Sequence, residues 1–414
     1  MSRYSFARVA LHAFSGHHRW RPAIRAAEPR ASYDVIIVGG GGHGLATAYF
    51  LAKLHGIRRV AVLERSVIGH GNSGRNTQVT RSDYYHLASA KFYDRSLRLY
   101  EGLSRELNYN LMLSQRGKIT LAHSPHELEI LRRTANAILM NGVDAEMLSV
   151  DELHRLVPAL NRRPRFPIAG AAVQWRGGIC RHDAVVWAFA RAASQLGVDI
   201  IQDCEVLAFQ RQGDTVTGVE TTQGTISAPR ICLSVAGHSS ELARKAGLDL
   251  PITSMALQAM VTEPVKPLLA QVLISATIHA YISQSDRGEI VIGGAADGYT
   301  SYAQRGGLPV MEANAQAAVE LFPCLSRLRI MRQWAGIVDI TPDTSPIMGP
   351  THIPGLYINC GWGTGGFKAI PAGGETMAYT LAHGHAHPLI RPFDLKRFEQ
   401  GGLIDESAAS GVAH

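Results

Sequence analysis

Three glycines and one acid carry the first chemical signal in this chain. Gly39, Gly41 and Gly44 stand in G-x-G-x-x-G spacing, and Glu64 follows twenty residues after the last of them. Each suits one part of a dinucleotide. Gly39 permits a sharp turn, Gly41 lets backbone approach a pyrophosphate, and Gly44 lets a helix pack closely on a strand. Free N–H groups at the helix start, around Gly42 and His43, meet phosphate charge. The Glu64 carboxylate is placed to accept the ribose hydroxyls. The glycine spacing alone also fits a turn in an unrelated α/β fold, so the context decides. Val35 to Val38 reads as an apolar strand entering the turn, a helix leaves it, and Val60 to Leu63 reads as a second strand that Glu64 closes.

Further elements must complete that sheet. A Gly/Asn/Ser-rich loop over residues 65–81 is followed by helical patterns at 84–107, 125–141 and 150–160. A strand-helix unit begins near Ala171 and contains a helix at 183–196. Strands rich in Val, Ile and Thr follow at 198–202, 206–210, 215–221 and 225–227. Residues 230–235 read as a strand delivering a small-residue turn, Ala236-Gly237-His238-Ser239, onto a helix that returns the chain to the dinucleotide domain. Residues 250–330 read as strands with one helix at 311–321, and 356–360 leads through G-W-G-T-G-G-F-K into a second strand–turn–helix unit.

The expected fold is mixed α/β and two-lobed. A discontinuous Rossmann-type domain takes 33–90, 165–248 and 330–392. A β-rich substrate and interface domain takes 91–164 and 249–329, between a basic arm (1–32) and a C-terminal tail (393–414).

Composition agrees with an enzyme of the cytoplasm. The 414 residues are 46% hydrophobic and 18% charged, enough for a large core. No apolar window is long enough for a membrane span, and neither a membrane nor a nucleic-acid partner is expected. The five cysteines (Cys180, Cys204, Cys232, Cys324, Cys360) lack C-x-x-C spacing, which argues for reduced thiols and against a zinc site. Charge is uneven. Arg3, Arg8, Arg19, Arg21, Arg25 and Arg30 against Glu28 give the arm +5 of the net +7. Such an arm fits a solvated tail, an Arg-rich mitochondrial presequence, or a strip embracing a partner subunit through Phe14, Trp20 and Ile24.

The order of these elements favours flavin over nicotinamide. One N-terminal βαβ unit, a mid-chain return strand and a late glycine turn suit FAD, whereas a nicotinamide dehydrogenase usually completes its sheet without the late return. V-I-I-V-G-G-G-G-H-G-L-A-T-A-Y, G-N-S-G-R-N-T-Q-V-T-R-S, S-Q-R-G, G-V-D-A-E, R-H-D-A-V-V-W-A-F-A-R, G-V-D-I-I-Q-D-C-E-V and N-C-G-W-G-T-G-G-F-K-A resemble the β subunits of heterotetrameric sarcosine oxidases, within the FAD-dependent D-amino acid oxidase-like group. The likeness runs from about residue 33 to the C-terminal L-I-D-E.

That resemblance implies roles residue by residue. The FAD pyrophosphate loop falls on Gly39, Gly41, Gly42, His43 and Gly44, and the ribose acid on Glu64. The loop beneath the flavin ring falls on Asn72, Thr77 and Val79, the strand beside adenine on Val206, and the C-terminal flavin turn on Gly363, Gly366 and Lys368. Backbone N–H groups at the start of the Phe367 helix, with Lys368, would stabilise the negative charge of reduced flavin. Arg81 and Lys368 would hold the carboxylate of sarcosine, a guanidinium binding it in a planar, two-point fashion. The bland alternatives are a surface ion pair of Arg81 with Asp83 and a plain helix-start lysine. His182, in R-H-D, would carry a covalent FMN, its imidazole attacking the flavin 8-methyl carbon. On residue chemistry alone it reads as a loop histidine beside a helix that Asp183 caps.

Departures from the single-chain relatives matter too. Those enzymes tether FAD to a cysteine shortly before a T-P-D-like segment. Here Thr341-Pro342-Asp343 is present but the tether position is Gly336, so FAD is expected to be non-covalent. Residues 288–294 offer no counterpart of the lysine those relatives use on oxygen. The implied reaction is hydride transfer from the sarcosine methyl group to FAD, relay to FMN, and peroxide formation there. NAD and tetrahydrofolate are expected on an α subunit, with γ and δ subunits completing the assembly. Rival readings are a stand-alone FAD-dependent D-amino acid or glycine dehydrogenase or oxidase, a nicotinamide dehydrogenase, and a non-catalytic assembly subunit.

Overall fold

The computed structural model describes residues 5–16, 18 and 22–404. Arg3, Arg19, Trp20 and Arg21 of the arm, and the tail beyond 404, lie outside the described residues.

Val35–Val38 and Val60–Leu63 are buried at every residue, as strands covered on both faces must be. They form the centre of a six-stranded sheet ordered Ile347–Pro350, Leu356–Cys360, Ile231–Leu233, Val35–Val38, Val60–Leu63, Asp199–Ile201. Every pairing is parallel except that of Ile347–Pro350 with Leu356–Cys360. Gly39 turns the chain at φ +111°, and a Cβ there would stand 2.3 Å from the Ser234 carbonyl oxygen. A Cβ on Gly44 would stand 2.0 Å from the Gly39 carbonyl oxygen, so the helix Gly42–Leu54 seats against the strand only with glycine there.

Helices cover one face of this sheet. Leu45, Phe50 and Leu51 of Gly42–Leu54 share a core with Phe189 of His182–Gln195 and with Ile370 and Met377 of Gly366–His383. The other face packs Ile36, Leu63 and Leu233 on Val216, Val219 and Ile226 from a three-stranded antiparallel sheet.

A second, eight-stranded sheet is ordered Ile330–Ile340, Thr253–Pro264, Glu289–Thr300, Ala280–Gln284, Val272–Ser275, Lys118–Ala122, Gly170–Gln174, Glu146–Leu148. The helix Leu308–Leu321 packs on it around Met260, Ile282 and Ile292. Two strands expected with the dinucleotide segments, Gly170–Gln174 and Ile330–Ile340, belong to this larger sheet. Their apolar runs read the same in either sheet, because pairing partners are set by tertiary contact. A short fourth sheet joins Val79–Thr80, Gly178–Ile179 and Ser114–Gln115.

Both chain ends are tied down in part. The arm carries an exposed helix, Phe6–Phe14, with no buried residue, and then anchors. Arg25 and Arg30 both pair with Asp199, the latter at 2.8 Å, and Tyr33 donates to the same carboxylate at 3.1 Å. The Arg25 N–H donates to Ser194 Oγ, and Ile24 packs on the main core. Residues 393–404 are docked rather than trailing: Phe393 and Ile404 are buried, and Arg397 holds Asp343 in a buried two-point pair. Among the described residues no helix is long and apolar enough to cross a membrane.

Candidate active site

One cavity of about 690 Å³ runs between the two large sheets and gathers most of the residues singled out by sequence. Gly39, Gly41, Gly42, His43, Glu64 and Val206 line one part of it, Asn72, Thr77 and Val79 the middle, and Arg81, Gly363, Gly366 and Lys368 the other end. Gly44 lies behind this wall, where its role is packing.

At the first end the Glu64 carboxylate is fixed by two peptide N–H groups, Gly40 at 2.8 Å and Ser66 at 3.0 Å. The Gly42 N–H, expected free for a phosphate, instead donates to Ser73 Oγ at 2.8 Å. A hydroxyl close enough to satisfy a helix-start donor could not be foreseen thirty-one residues away. Cys204 is the lining cysteine, and its N–H donates to the Glu64 carbonyl, far along the chain from Gly336.

In the middle, the Asn72 side chain is committed to the backbone of Ile337, accepting its N–H at 2.8 Å and donating to its carbonyl at 2.5 Å. This pins the turn Asn72–Gly74 to the strand Ile330–Ile340, beside Gly336. The Trp334 indole donates to the Arg75 carbonyl and strengthens the seam.

The glycine turn after Leu356–Cys360 is held by an acid that sequence reasoning missed. Asp339 accepts the Gly361 N–H at 2.6 Å, and its own carbonyl accepts the Gly363 N–H at 2.9 Å. Burial pushes the Asp339 carboxyl up to about 6, against the pull of the turn's peptide N–H groups. Next to it the His43 ring stacks on Trp362 at 4.4 Å and bonds the Gly366 carbonyl. Burial lowers the pKa of that imidazole to about 4, so it stays neutral.

The far end is cationic. Asp83 stands between Arg81, 2.8 Å from one oxygen, and Lys118, 2.6 Å from the other. Lys118 also donates to Thr120 Oγ1. The Arg81–Asp83 pair exists, but it is buried in the cavity wall rather than on the surface, with the Arg81 guanidinium 4.4 Å from the Tyr84 ring centre. Burial opposes a charged Asp83, yet Lys118 and Arg81 outweigh it and hold the carboxyl down at about 2. Lys368 donates to the Thr364 carbonyl at 2.9 Å. Burial, with Arg81 close by, lowers its pKa well below the usual lysine value. Three basic side chains and one acid thus meet at this end of the cavity. Lys118 was missed, although a lysine inside the apolar run of Lys118–Ala122 was a usable signal.

His182 does not line this cavity. It is the first residue of the helix His182–Gln195, whose N-cap is Arg181, so the expected cap by Asp183 is corrected. Asp183 lies inside the first turn, where it grips Arg181 at 2.8 Å and accepts the Ala184 N–H. Burial lowers the His182 pKa, and its Nδ1 is buried without a hydrogen-bond partner among the described residues. The two regions are nonetheless joined. Cys180 N–H donates to the carbonyl of Gln78, a cavity-lining residue held at φ +69°.

Comparison with known proteins places the chain in a family. Residues 34–380 match the FAD dependent oxidoreductase family. The chain is 50% identical to the sarcosine oxidase subunit beta of Rhodobacter capsulatus, over 100% of both chains. It is 51% identical to that of an Arthrobacter species, over 94% of this chain and 96% of that one. Among solved structures, L-proline dehydrogenase from P. horikoshii superposes with a TM-score of 0.84 at 27% identity, over 91% of this chain and 100% of that one. Glycine oxidase from Geobacillus kaustophilus shares the fold, with a TM-score of 0.81 at 23% identity over 89% and 99%. The chain is an FAD-dependent oxidoreductase and belongs to the sarcosine oxidase β-subunit family.

Proposed function

We propose that this chain is the subunit that oxidises sarcosine in a cytoplasmic heterotetramer. The observation that carries the reading is the meeting of Arg81, Lys118 and Lys368 at one end of a cavity whose other end is the glycine turn and Glu64. The residues fit FAD: a carboxylate fixed by two N–H groups at one extreme, glycine turns along the wall, and Gly336 in place of a tethering thiol. His182 is compatible with carrying FMN: the residue is partly exposed, and burial lowers its pKa toward the neutral form that can act as a nucleophile. When bound, FAD supplies a hydride acceptor and FMN a second redox centre with access to oxygen.

The protein's own part is binding and charge. Gly39, Gly41, Gly42 and His43 would hold the pyrophosphate, Glu64 the ribose, and Val206 the adenine side. Asn72, Thr77 and Val79 would lie beneath the ring, with Gly363 and Gly366 at its polar edge. Arg81 and Lys368 would take the sarcosine carboxylate, while Asp83 and Lys118 hold Arg81 in place. Buried charges act strongly in such a site because little water screens them. The products would be glycine, hydrogen peroxide and either formaldehyde or, with a folate-binding α subunit, 5,10-methylenetetrahydrofolate. That α subunit would also carry NAD, and γ and δ subunits would complete the assembly.

A stand-alone amino-acid dehydrogenase or oxidase is the alternative, favoured by the superposition on L-proline dehydrogenase. Acid precipitation of the purified assembly separates the two readings. Retention of one flavin in the pellet and release of another is expected, with His182→Ala losing only the retained one. A pellet without flavin, or an oxidised enzyme that sarcosine does not bleach anaerobically, removes the sarcosine oxidase reading.

A further inference from the structure

A hydride leaves the carbon beside a nitrogen only when that nitrogen has its lone pair. A secondary amino acid arrives as a zwitterion, with the nitrogen protonated. If this chain oxidises such a substrate, as proposed above, something at the cationic end must take a proton. The titratable groups there are few. Arg81 from the segment after Val79–Thr80 keeps its charge at any pH of interest. Asp83 is engaged on both oxygens by Arg81 and Lys118, and Lys118 donates to Asp83 and Thr120. Asp339, from the strand Ile330–Ile340, holds the Gly361 N–H. His43, from the helix Gly42–Leu54, faces Trp362 and the Gly366 carbonyl. From the helix Leu87–Glu106, Tyr93 and Tyr100 give their hydroxyls to the carbonyls of Gly365 and Phe367. Tyr281 lines the cavity from the larger sheet, bonded to Thr77.

Lys368 differs from all of these. It lines the cavity, is 7% exposed, and donates to a single carbonyl, that of Thr364. It stands in the first turn of Gly366–His383, the end of a helix where peptide dipoles oppose a cation. Two further cations, Arg81 and Lys118, face it and share one acid between them. We propose that Lys368 waits as a free amine and accepts the proton of the substrate's ammonium as the carboxylate docks. One N–H bond breaks on the substrate and one forms at Lys368 Nζ. The amino acid is left as an anion with an unprotonated amine, and the new lysine ammonium joins Arg81 on its carboxylate. No proton crosses to solvent, so the zwitterion enters whole and becomes reactive on binding. Burial and Arg81 lower the lysine's proton affinity in the direction this requires.

A carboxylate with no ammonium tests this without any turnover. Methoxyacetate binding to the oxidised holoenzyme, followed calorimetrically at about pH 8 in two buffers of different ionisation heat, is expected to take up about one proton per site. Asp339 is ionised there and does not contribute. Lys368→Arg keeps a cation that cannot shed its proton. It is expected to bind methoxyacetate with no uptake. In anaerobic reduction at saturating sarcosine, the wild type is expected to be flat below the substrate's ammonium pKa, and Lys368→Arg to fall about tenfold per pH unit there. A wild type that takes up no proton, or a Lys368→Arg enzyme with unchanged uptake and profile, overturns the proposal. A wild type that takes up the proton yet is not reduced by sarcosine sustains the lysine assignment and overturns the sarcosine oxidase reading instead.

Discussion

Asp83 and Asp339 line the same cavity, Asp339 buried and the Asp83 side chain 10% exposed, and their carboxyls move in opposite directions. Asp83 faces Lys118 and Arg81 and stays ionised to about pH 2, whereas Asp339 faces the N–H groups of a glycine turn and rises to about 6. Burial opposes the charged form of each. Full opposite charges at 2.6 and 2.8 Å reverse that effect, while neutral donors only reduce it. The cationic end is therefore an electrostatic assembly whose members need one another, and the turn is a hydrogen-bonded one that tolerates a change of protonation.

Removing Asp83 should break that contrast most severely. Asp83→Ala leaves Arg81 and Lys118 buried with their shared acid gone, and a loss of about 3–5 kcal/mol in unfolding free energy is expected, read by denaturant titration. Asp83→Ala combined with Lys118→Met should recover part of it; an equal loss in both would show that the pair is not coupled.

Arg81→Ala is next, and it acts on the ligand. Carboxylate inhibitors should bind more weakly by about 2–5 kcal/mol, because a buried charged contact loses one partner. Unchanged inhibition constants would remove Arg81 from the site.

The pH dependence sharpens the comparison. Asp339 has a raised carboxyl, so its contribution to stability is complete below the unfolded value near 4 and is lost as pH climbs through about 6. Asp83 has the reverse sign, contributing above about 4 and losing its contribution as pH falls through about 2. Asp339→Asn should abolish a decline of about 2–3 kcal/mol between those upper limits, while the acid-side loss persists. A wild-type stability that rises from pH 4 to 6 with the same slope in Asp339→Asn contradicts the assignment. The smallest effect is expected from Arg30→Ala, about 1 kcal/mol or less, since this half-exposed partner is one of three on Asp199.

The sequence was most readable where function is built from neighbouring residues. The turn from Gly39 to Gly44 and the acid at Glu64 lie within one βαβ unit, and their spacing in that strand–helix–strand context picked them out. Thr215–Thr221 and Leu356–Cys360 were also legible end to end, because their apolar patterns sit between clear turn residues. The cationic end was only half visible. Arg81 and Lys368 came through the family resemblance, but Lys118 reaches them from a strand of the other sheet, and no local pattern reports that meeting. Asp339 was hidden for the same reason, an acid in an apolar strand whose partners lie more than twenty residues on. The expectation that Gly170–Gln174 and Ile330–Ile340 sit with the dinucleotide segments failed on pairing, which propensity does not encode, and both strands belong to the larger sheet.

The anchoring of the arm at Asp199 has a consequence for processing. Helix Phe6–Phe14 contributes nothing to the core, while Ile24, Arg25, Arg30 and Tyr33 are part of it or tied to it. A peptidase acting on the arm would find no buried residue in the helix Phe6–Phe14 and a folded barrier from Ile24 onward. A cut beyond Arg30 would strand a carboxylate that is 4% exposed at the head of an edge strand. The Asp199 cluster thus marks where trimming of the arm would begin to cost the fold.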